Sequence, residues 1–205
     1  MSKCYIVGAG DFTHAFTPEA DDLVIAADGG YDALKSRGIR VDLIVGDLDS
    51  IKNEPHDTKI IRHKVEKDET DMHLCFLEGR TRGYSDFVIL GGTGGRDDHT
   101  FANYSLLHFI RKSGGRAELF SKFSKSYVLI DEEITLKNNG AKNGKTVSIF
   151  AYGGTCEGVF ISGLKYEAKN ATLTPDFPLG VSNSYKECDA KIAVTHGTLL
   201  VFEEI

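Results

Sequence analysis

The first half of the chain alternates short apolar runs with stretches of helical period. The runs predict strands at residues 4–7, 23–27, 42–45, 59–62, 87–90 and 117–120, and the patterns between them predict helices over 31–37, 70–78 and 100–112. In the last helix Asn103, Leu106, Leu107 and Ile110 fall on one face at the 3.6-residue period. Alternation of this kind builds a parallel α/β sheet, whose ligands sit outside the carboxyl ends of the strands. Function is therefore expected in the loops that follow strands.

From about Tyr127 the pattern changes to short strands broken by Gly, Asn and Pro, predicted at 127–130, 133–136, 146–151, 155–161, 171–173, 191–195 and 198–203. Asn139-Gly140, Asn143-Gly144 and His196-Gly197 are hairpin-turn signals. The expected fold class is α/β plus all-β: an N-terminal parallel-sheet α/β nucleotide-binding domain over 1–124 and a C-terminal β-sandwich over 125–205. The polar segment 121–126 is the expected boundary.

Composition narrows the function. With 41% apolar residues in 205, the chain can bury a core, which excludes disorder. It has no run of about 18 apolar residues, and Met1-Ser2-Lys3 leads straight into a strand pattern. Neither a membrane span nor a signal peptide is expected, and the expected location is cytoplasmic. The four Cys, at 4, 75, 156 and 188, form no Cys-x-x-Cys pair and are expected to be reduced core thiols. The 24 Lys and Arg against 30 Asp and Glu leave a net charge of −6, which argues against nucleic acid and for a small substrate. Fourteen of the 17 Asp lie in residues 1–98. Asp is a poor strand and helix former, so this concentration points to ligand-binding loops there.

Three such loops carry candidate chemistry. In Gly46-Asp47-Leu48-Asp49-Ser50, an extended chain would point the Asp47 and Asp49 carboxylates the same way, about 7 Å apart. Two carboxylates so placed repel each other unless a divalent ion joins them, and Mg²⁺ with phosphate oxygens suits the pair. The plainer alternative is that both simply cap a turn. In Glu66-Lys67-Asp68-Glu69-Thr70-Asp71, either Asp68 or Thr70 can cap the second helix, and acids in its first turn favour the dipole. Facing the same cleft, Asp71 becomes a third metal ligand or the base for a hydroxyl. In Gly91-Gly92-Thr93-Gly94-Gly95-Arg96-Asp97-Asp98-His99, glycines let a phosphate approach the backbone ahead of a helix N-terminus, and Arg96 adds a forked donor.

Other motifs are weaker. Gly8-Ala9-Gly10 lacks the third glycine of a dinucleotide fingerprint, since position 13 is Thr13, though its loop can still wrap a ligand. Gly144-Lys145-Thr146 lacks the earlier glycine of a P-loop, because position 139 is Asn139. In Ala27-Asp28-Gly29-Gly30, Asp28 can accept from a hydroxyl or an amine.

These loops in this order resemble thiamine pyrophosphokinases. The resemblance rests on Ala27-Asp28-Gly29-Gly30, Gly46 to Ser50, Lys67 to Asp71, Gly94 to His99 with Asn103, Gly163-Leu164-Lys165-Tyr166, and Val181-Ser182-Asn183. It implies a homodimer that uses Mg²⁺ and transfers a pyrophosphoryl group from ATP to the thiamine hydroxyl, releasing AMP. It implies ATP binding by Asp28, Gly29, Gly30, Asp47, Asp68, Thr70, Gly92, Gly94, Gly95, Arg96 and His99. Asp47, Asp49 and Asp71 become metal ligands, and Asp71, Asp98 and Arg96 the catalytic groups. Thiamine falls to Asp98, Asn103, Tyr166, Ser182 and Asn183, in a pocket at the dimer interface. Some relatives carry Trp at the place of Tyr166, and this chain has no Trp, so stacking on the vitamin must come from Tyr or Phe.

Two rival functions share parts of this pattern. Asp47-Leu48-Asp49 approaches the nucleophile loop of a haloacid-dehalogenase-like phosphatase, but that loop follows a first strand and this one a third. A non-catalytic nucleotide or Mg²⁺ sensor would need the same loops without turnover.

Overall fold

A computed structural model describes residues 2–49, 51, 55, 58–64, 66, 68–138 and 145–205. The chain separates into two compact units, Met1–Lys122 and Phe123–Ile205.

The first unit runs β1 (Cys4–Val7), β2 (Leu23–Ala27), α1 (Gly30–Lys35), β3 (Leu43–Gly46), β4 (Lys59–Arg62), α2 (Asp71–Thr81), β5 (Asp86–Leu90), α3 (Asp97–Lys112) and β6 (Arg116–Phe120). Its strands lie in the order β6-β5-β1-β2-β3-β4, and every pairing is parallel. β1 and β3 are buried at every position, which is why they read as continuous apolar runs without alternation. β4, at the edge, exposes Lys59 and Arg62. The chain lays β2, β3 and β4 on one side of β1, then returns to place β5 and β6 on the other. The connections diverge between β1 and β5, which is where a parallel sheet opens a crevice.

The β1–β5 pairing continues beyond the strands. Gly8 N–H donates to Leu90 O at 2.8 Å, and Gly10 N–H to Gly91 O at 2.9 Å. A Cβ on Gly8 would stand 2.7 Å from Gly91 O, so only glycine lets these two loops run side by side.

The second unit contains β7 (Ser124–Ile130), β8 (Glu133–Leu136), β9 (Thr146–Ala151), β10 (Cys156–Ser162), β11 (Ala168–Leu173), β12 (Asn183–Ser184), β13 (Ala190–Ala193) and β14 (Thr198–Glu204). They form two antiparallel layers, ordered β12-β9-β14-β7 and β11-β10-β13-β8. β9 alternates half-buried and buried positions, sending Val147, Ile149 and Ala151 into a core shared with Val159, Ile161 and Ile192 of the opposite layer. This is a β-sandwich.

Several boundaries differ from the sequence expectations. α3 begins at Asp97 instead of residue 100, because acids are favoured in a first turn. β7 begins at Ser124, so half of the polar segment expected as a boundary is strand, its polar side chains lying along the pairing with β14. His196-Gly197 closes no hairpin: β13 and β14 belong to opposite layers, and His196 bridges back to Glu157. The other two hairpin signals, at 139–144, lie outside the described residues. Cys4, Cys75 and Cys156 are buried free thiols, but Cys188 is exposed in the segment before β13. Among the described residues no helix is long and apolar enough to cross a membrane.

Candidate active site

The ends of β1, β2, β3 and β5 and the first turns of α2 and α3 surround a cleft of about 650 Å³ in the first unit. From the loop after β2 come Asp28 and Gly29, from the loop after β3 Asp47 and Asp49, and from the start of α2 Thr70 and Asp71. The glycine-rich loop contributes Gly92, Gly95 and Arg96, and α3 contributes His99 and Asn103.

The acidic residues meet by a different geometry from the extended one expected. Leu48 has φ +69°, so the chain turns sharply between Asp47 and Asp49, and Asp49 N–H donates back to Asp47 Oδ1 at 3.2 Å. The turn and the acidic cluster are therefore the same device. Asp28 joins them: its N–H donates to Val45 O at 3.0 Å, its φ is +44°, and carboxylate oxygens of Asp28, Asp47 and Asp49 lie within 4.8 Å of one another. Asp28 Oδ1 is buried without a hydrogen-bond partner. A buried carboxylate oxygen beside two other carboxylates is unfavourable without a cation. Three hard oxygen donors suit Mg²⁺, so the residues present fit that ion. Asp71 lines the same cleft from α2, outside this group of three.

Thr70 is the N-cap of α2, its Oγ1 accepting from His73 N–H at 3.2 Å. Asp68 is exposed just ahead of it. Arg96 precedes α3 in extended conformation, and its guanidinium closes on Asp98, Nε to Oδ1 at 3.1 Å and Nη2 to Oδ2 at 2.5 Å. Asp98 Oδ1 also accepts from His99 N–H at 2.9 Å. The Arg96 hydrogen bond holds the Asp98 carboxyl below the usual carboxylate range. Asn103, expected on the apolar face of α3, is buried there and donates from Nδ2 to Gly92 O at 2.7 Å, which fixes the glycine loop on the helix. Gly30 is buried at the start of α1 against β1, and Gly94 lies under the Asp11 carboxylate; neither lines the cleft. Tyr166, Ser182 and Asn183 belong to the second unit.

Gly8 and Gly10, from the loop expected to wrap a ligand, also line the cleft, as do Met72 and Thr93, which sequence reasoning passed over. For Gly8 and Gly10 the signal is a glycine pair directly after a strand, which suffices for a ligand loop without the complete dinucleotide fingerprint. Met72 and Thr93 have no signal of their own, since both are buried residues between conspicuous neighbours.

Comparison with known proteins decides among the chemistries such a cleft allows. Residues 17–119 match the thiamin pyrophosphokinase catalytic domain, and residues 132–199 its vitamin B1 binding domain. The chain belongs to the thiamin pyrophosphokinase family. It is 26% identical over 187 residues to thiamine pyrophosphokinase of Bacillus subtilis, covering 87% of this chain and 86% of that one. It is 29% identical over 191 residues to thiamin pyrophosphokinase 1 of Caenorhabditis elegans, covering 87% and 76%. Its fold is that of the crystal structure of the Bacillus subtilis thiamine pyrophosphokinase, with a TM-score of 0.88 over 99% of each chain at 22% identity. The thiamin pyrophosphokinase of Candida albicans gives a TM-score of 0.77, covering 100% of this chain and 89% of that one at 17% identity. In thiamin pyrophosphokinase terms, the acidic group and the glycine loop fall within the catalytic match. Tyr166, Ser182 and Asn183 fall within the vitamin B1 match.

Proposed function

We propose that this protein transfers a pyrophosphoryl group from ATP to the hydroxyl of thiamine, giving thiamine diphosphate and AMP, with Mg²⁺ held by Asp28, Asp47 and Asp49. The observation that carries the proposal is the convergence of these three carboxylates, one with a buried unpartnered oxygen, beside a glycine loop and a helix N-terminus in one cleft. When bound, the cation neutralises charge on the phosphate oxygens.

The chain's own groups supply the rest. Backbone N–H groups of the glycine loop and the start of α3 cradle the polyphosphate, and Arg96 turns its fork toward it. The thiamine oxygen attacks the β-phosphorus as the bond to the bridging oxygen of AMP breaks in line. Asp71, at the first turn of α2 on the cleft wall, accepts the hydroxyl proton. Asp98 is the alternative acceptor, held deprotonated by Arg96 until the polyphosphate takes the guanidinium. Acidic walls also favour the cationic thiazolium acceptor. A homodimer with the vitamin pocket at its interface, and a cytoplasmic location, belong to the same proposal. A monomeric mass at working concentration would contradict the dimer.

The test is incubation with Mg-ATP and thiamine, followed by separation of the nucleotides. AMP that appears only with thiamine supports the proposal. Unchanged ATP would point to a nucleotide sensor, and phosphate released from a simple phosphoester to a phosphatase.

A further inference from the structure

The connection from β1 to β2, residues 8–22, contains no helix, whereas the one from β2 to β3 carries α1. Its first residues pair with the glycine loop after β5. Gly10 N–H donates to Gly91 O at 2.9 Å, and Asp11 N–H to Thr93 O at 2.6 Å. A Cβ on Gly94 would stand 2.1 Å from Asp11 Cγ, so the Asp11 carboxylate lies directly against that loop. Beyond Asp11 the segment is anchored by rings: Phe12 is buried, and Phe16 stacks on Tyr5 at 4.3 Å between centroids.

Phe12 is also held from α1. Arg37 lies just past the end of that helix, and one guanidinium makes three contacts. Nη2 donates to Phe12 O at 2.8 Å, and Cζ lies 4.4 Å from the centroid of the Phe12 ring. Nη1 donates to Ala33 O of α1 at 2.9 Å, which fixes the fork to its own helix. α1 in turn is seated on the end of β1 through Gly30, where a Cβ would stand 1.9 Å from Val7 O, and it begins directly after Asp28 and Gly29. Contacts therefore run without a break from the Asp28 loop, through α1 and Arg37, to Phe12, Asp11 and the glycine loop across the crevice. A planar fork sets direction as well as distance, which suits it to fixing a spacing. Arg37 is exposed, so these contacts add modestly to global stability.

We propose that Arg37 is a positioning residue: by clamping Phe12 to α1 it sets the spacing between Asp28 and the glycine loop, and so preorganises the cleft for the polyphosphate of ATP. It acts through Phe12 and Asp11, since Arg37 is not among the residues that line the cleft. The inference rests on the proposed reaction for the identity of the nucleotide.

The test uses the full chain with Mg-ATP, reading ATP affinity by calorimetry, the KM for ATP and for thiamine by AMP release, and amide exchange at Gly10 and Asp11. Arg37→Met keeps the stem of the side chain and removes the fork. It is expected to weaken ATP binding and raise the KM for ATP by about tenfold, the scale of one exposed cation–π contact plus one hydrogen bond, and to leave the KM for thiamine within about twofold. Exchange at Gly10 and Asp11 is expected to quicken by a similar factor. Arg37→Lys keeps the charge, but an ammonium cannot hold Ala33 O, Phe12 O and the ring in one plane, so an intermediate loss is expected. Should Arg37→Met fail to fold, Arg37→Lys carries the same measurements. Full activity in Arg37→Lys beside a defective Arg37→Met would overturn the proposal by assigning the effect to charge. A lowered Tm with normal ATP affinity well below the transition would overturn it too, as would equal rises in both KM values or unchanged exchange at Gly10 and Asp11. If the wild type binds Mg-ATP but yields no AMP with thiamine, the reaction is wrong, and affinity and exchange still decide the clamp. If AMP forms and Arg37→Met binds ATP normally, the clamp is wrong and the reaction stands.

Discussion

Gly46 and Asp28 fit together only because Gly46 lacks a side chain: a Cβ there would stand 3.0 Å from Asp28 Cβ and 3.3 Å from its Cα. The end of β3 thereby closes on the end of β2, and the carboxylates of the two loops are drawn within reach of each other. Gly46→Ala should destabilise the fold by about 1–3 kcal/mol, the range for strain and overpacking at a tight site. It should lower turnover further than the loss of folded protein explains, because Asp28 must give way. Thermal unfolding together with kcat measured well below the transition checks this. Normal kcat in a variant of lowered stability would separate Gly46 from the site.

Asp28 is the member of the acidic group that carries a buried, unpartnered oxygen. Asp28→Asn should leave the metal-free protein as stable or more stable, because a like charge is removed from a crowded site. The same change should abolish the rise in Tm that Mg²⁺ gives the wild type, since a ligand that binds only the folded state stabilises it. Turnover should fall by about 10²-fold, typical of losing one preorganised electrostatic element. Calorimetric scans with and without Mg²⁺ distinguish this from a purely structural role, in which both scans would shift down together.

The parts of the fold written in local pattern were legible in the sequence. Apolar runs of four and five residues located β1 and β2 with their observed limits, because a buried strand has no other way to appear. The start of α3 was not, since Asp97, Asp98 and His99 read equally as loop and as first turn, and only the extended Arg96 ahead of them fixes the boundary. In the site, the acidic and glycine-rich loops were legible as residue types. That Asp28 would join Asp47 and Asp49 depends on Gly46 and on the left-handed turn at Leu48, and a leucine carries no local signal for positive φ. Asn183 shows a different limit: its Oδ1 and Nδ2 hydrogen-bond the backbone of Tyr166, 17 residues earlier, and no local pattern announces a contact over that separation.

Arg96, the donor proposed for polyphosphate, is closed on Asp98 in a forked pair exposed to solvent. Such pairs hold weakly in water, so a polyanion carrying several charges should displace Asp98. Arg96→Met should weaken ATP binding by about tenfold, and the difference should shrink as salt rises. Asp98→Asn removes the internal competitor and should tighten ATP binding severalfold in the absence of thiamine, about the scale of one surface ion pair. Equilibrium binding of ATP without the acceptor tests both. Weaker ATP binding in Asp98→Asn would mean that the pair organises the loop instead of occupying Arg96.

Away from the cleft, Asp86 at the start of β5 offers a test of stability against pH. Burial pushes its carboxyl above the ordinary value of 3.8, with the charge of Lys3 opposing and that of Glu118 adding to the rise. A raised folded value means that the native state holds the proton more tightly than the unfolded chain. The stabilisation is therefore complete below 3.8 and is lost as pH rises through the folded value, so at neutral pH the ionised group weakens the fold. Asp86→Asn cannot ionise and keeps nearly the volume of the acid. Its Tm should exceed that of the wild type at about pH 7, and the gap should close as pH falls to about 3, where both side chains are neutral. Thermal unfolding of both proteins across that range reads the effect directly. A gap that is constant with pH would assign the change to hydrogen bonding and not to the buried charge.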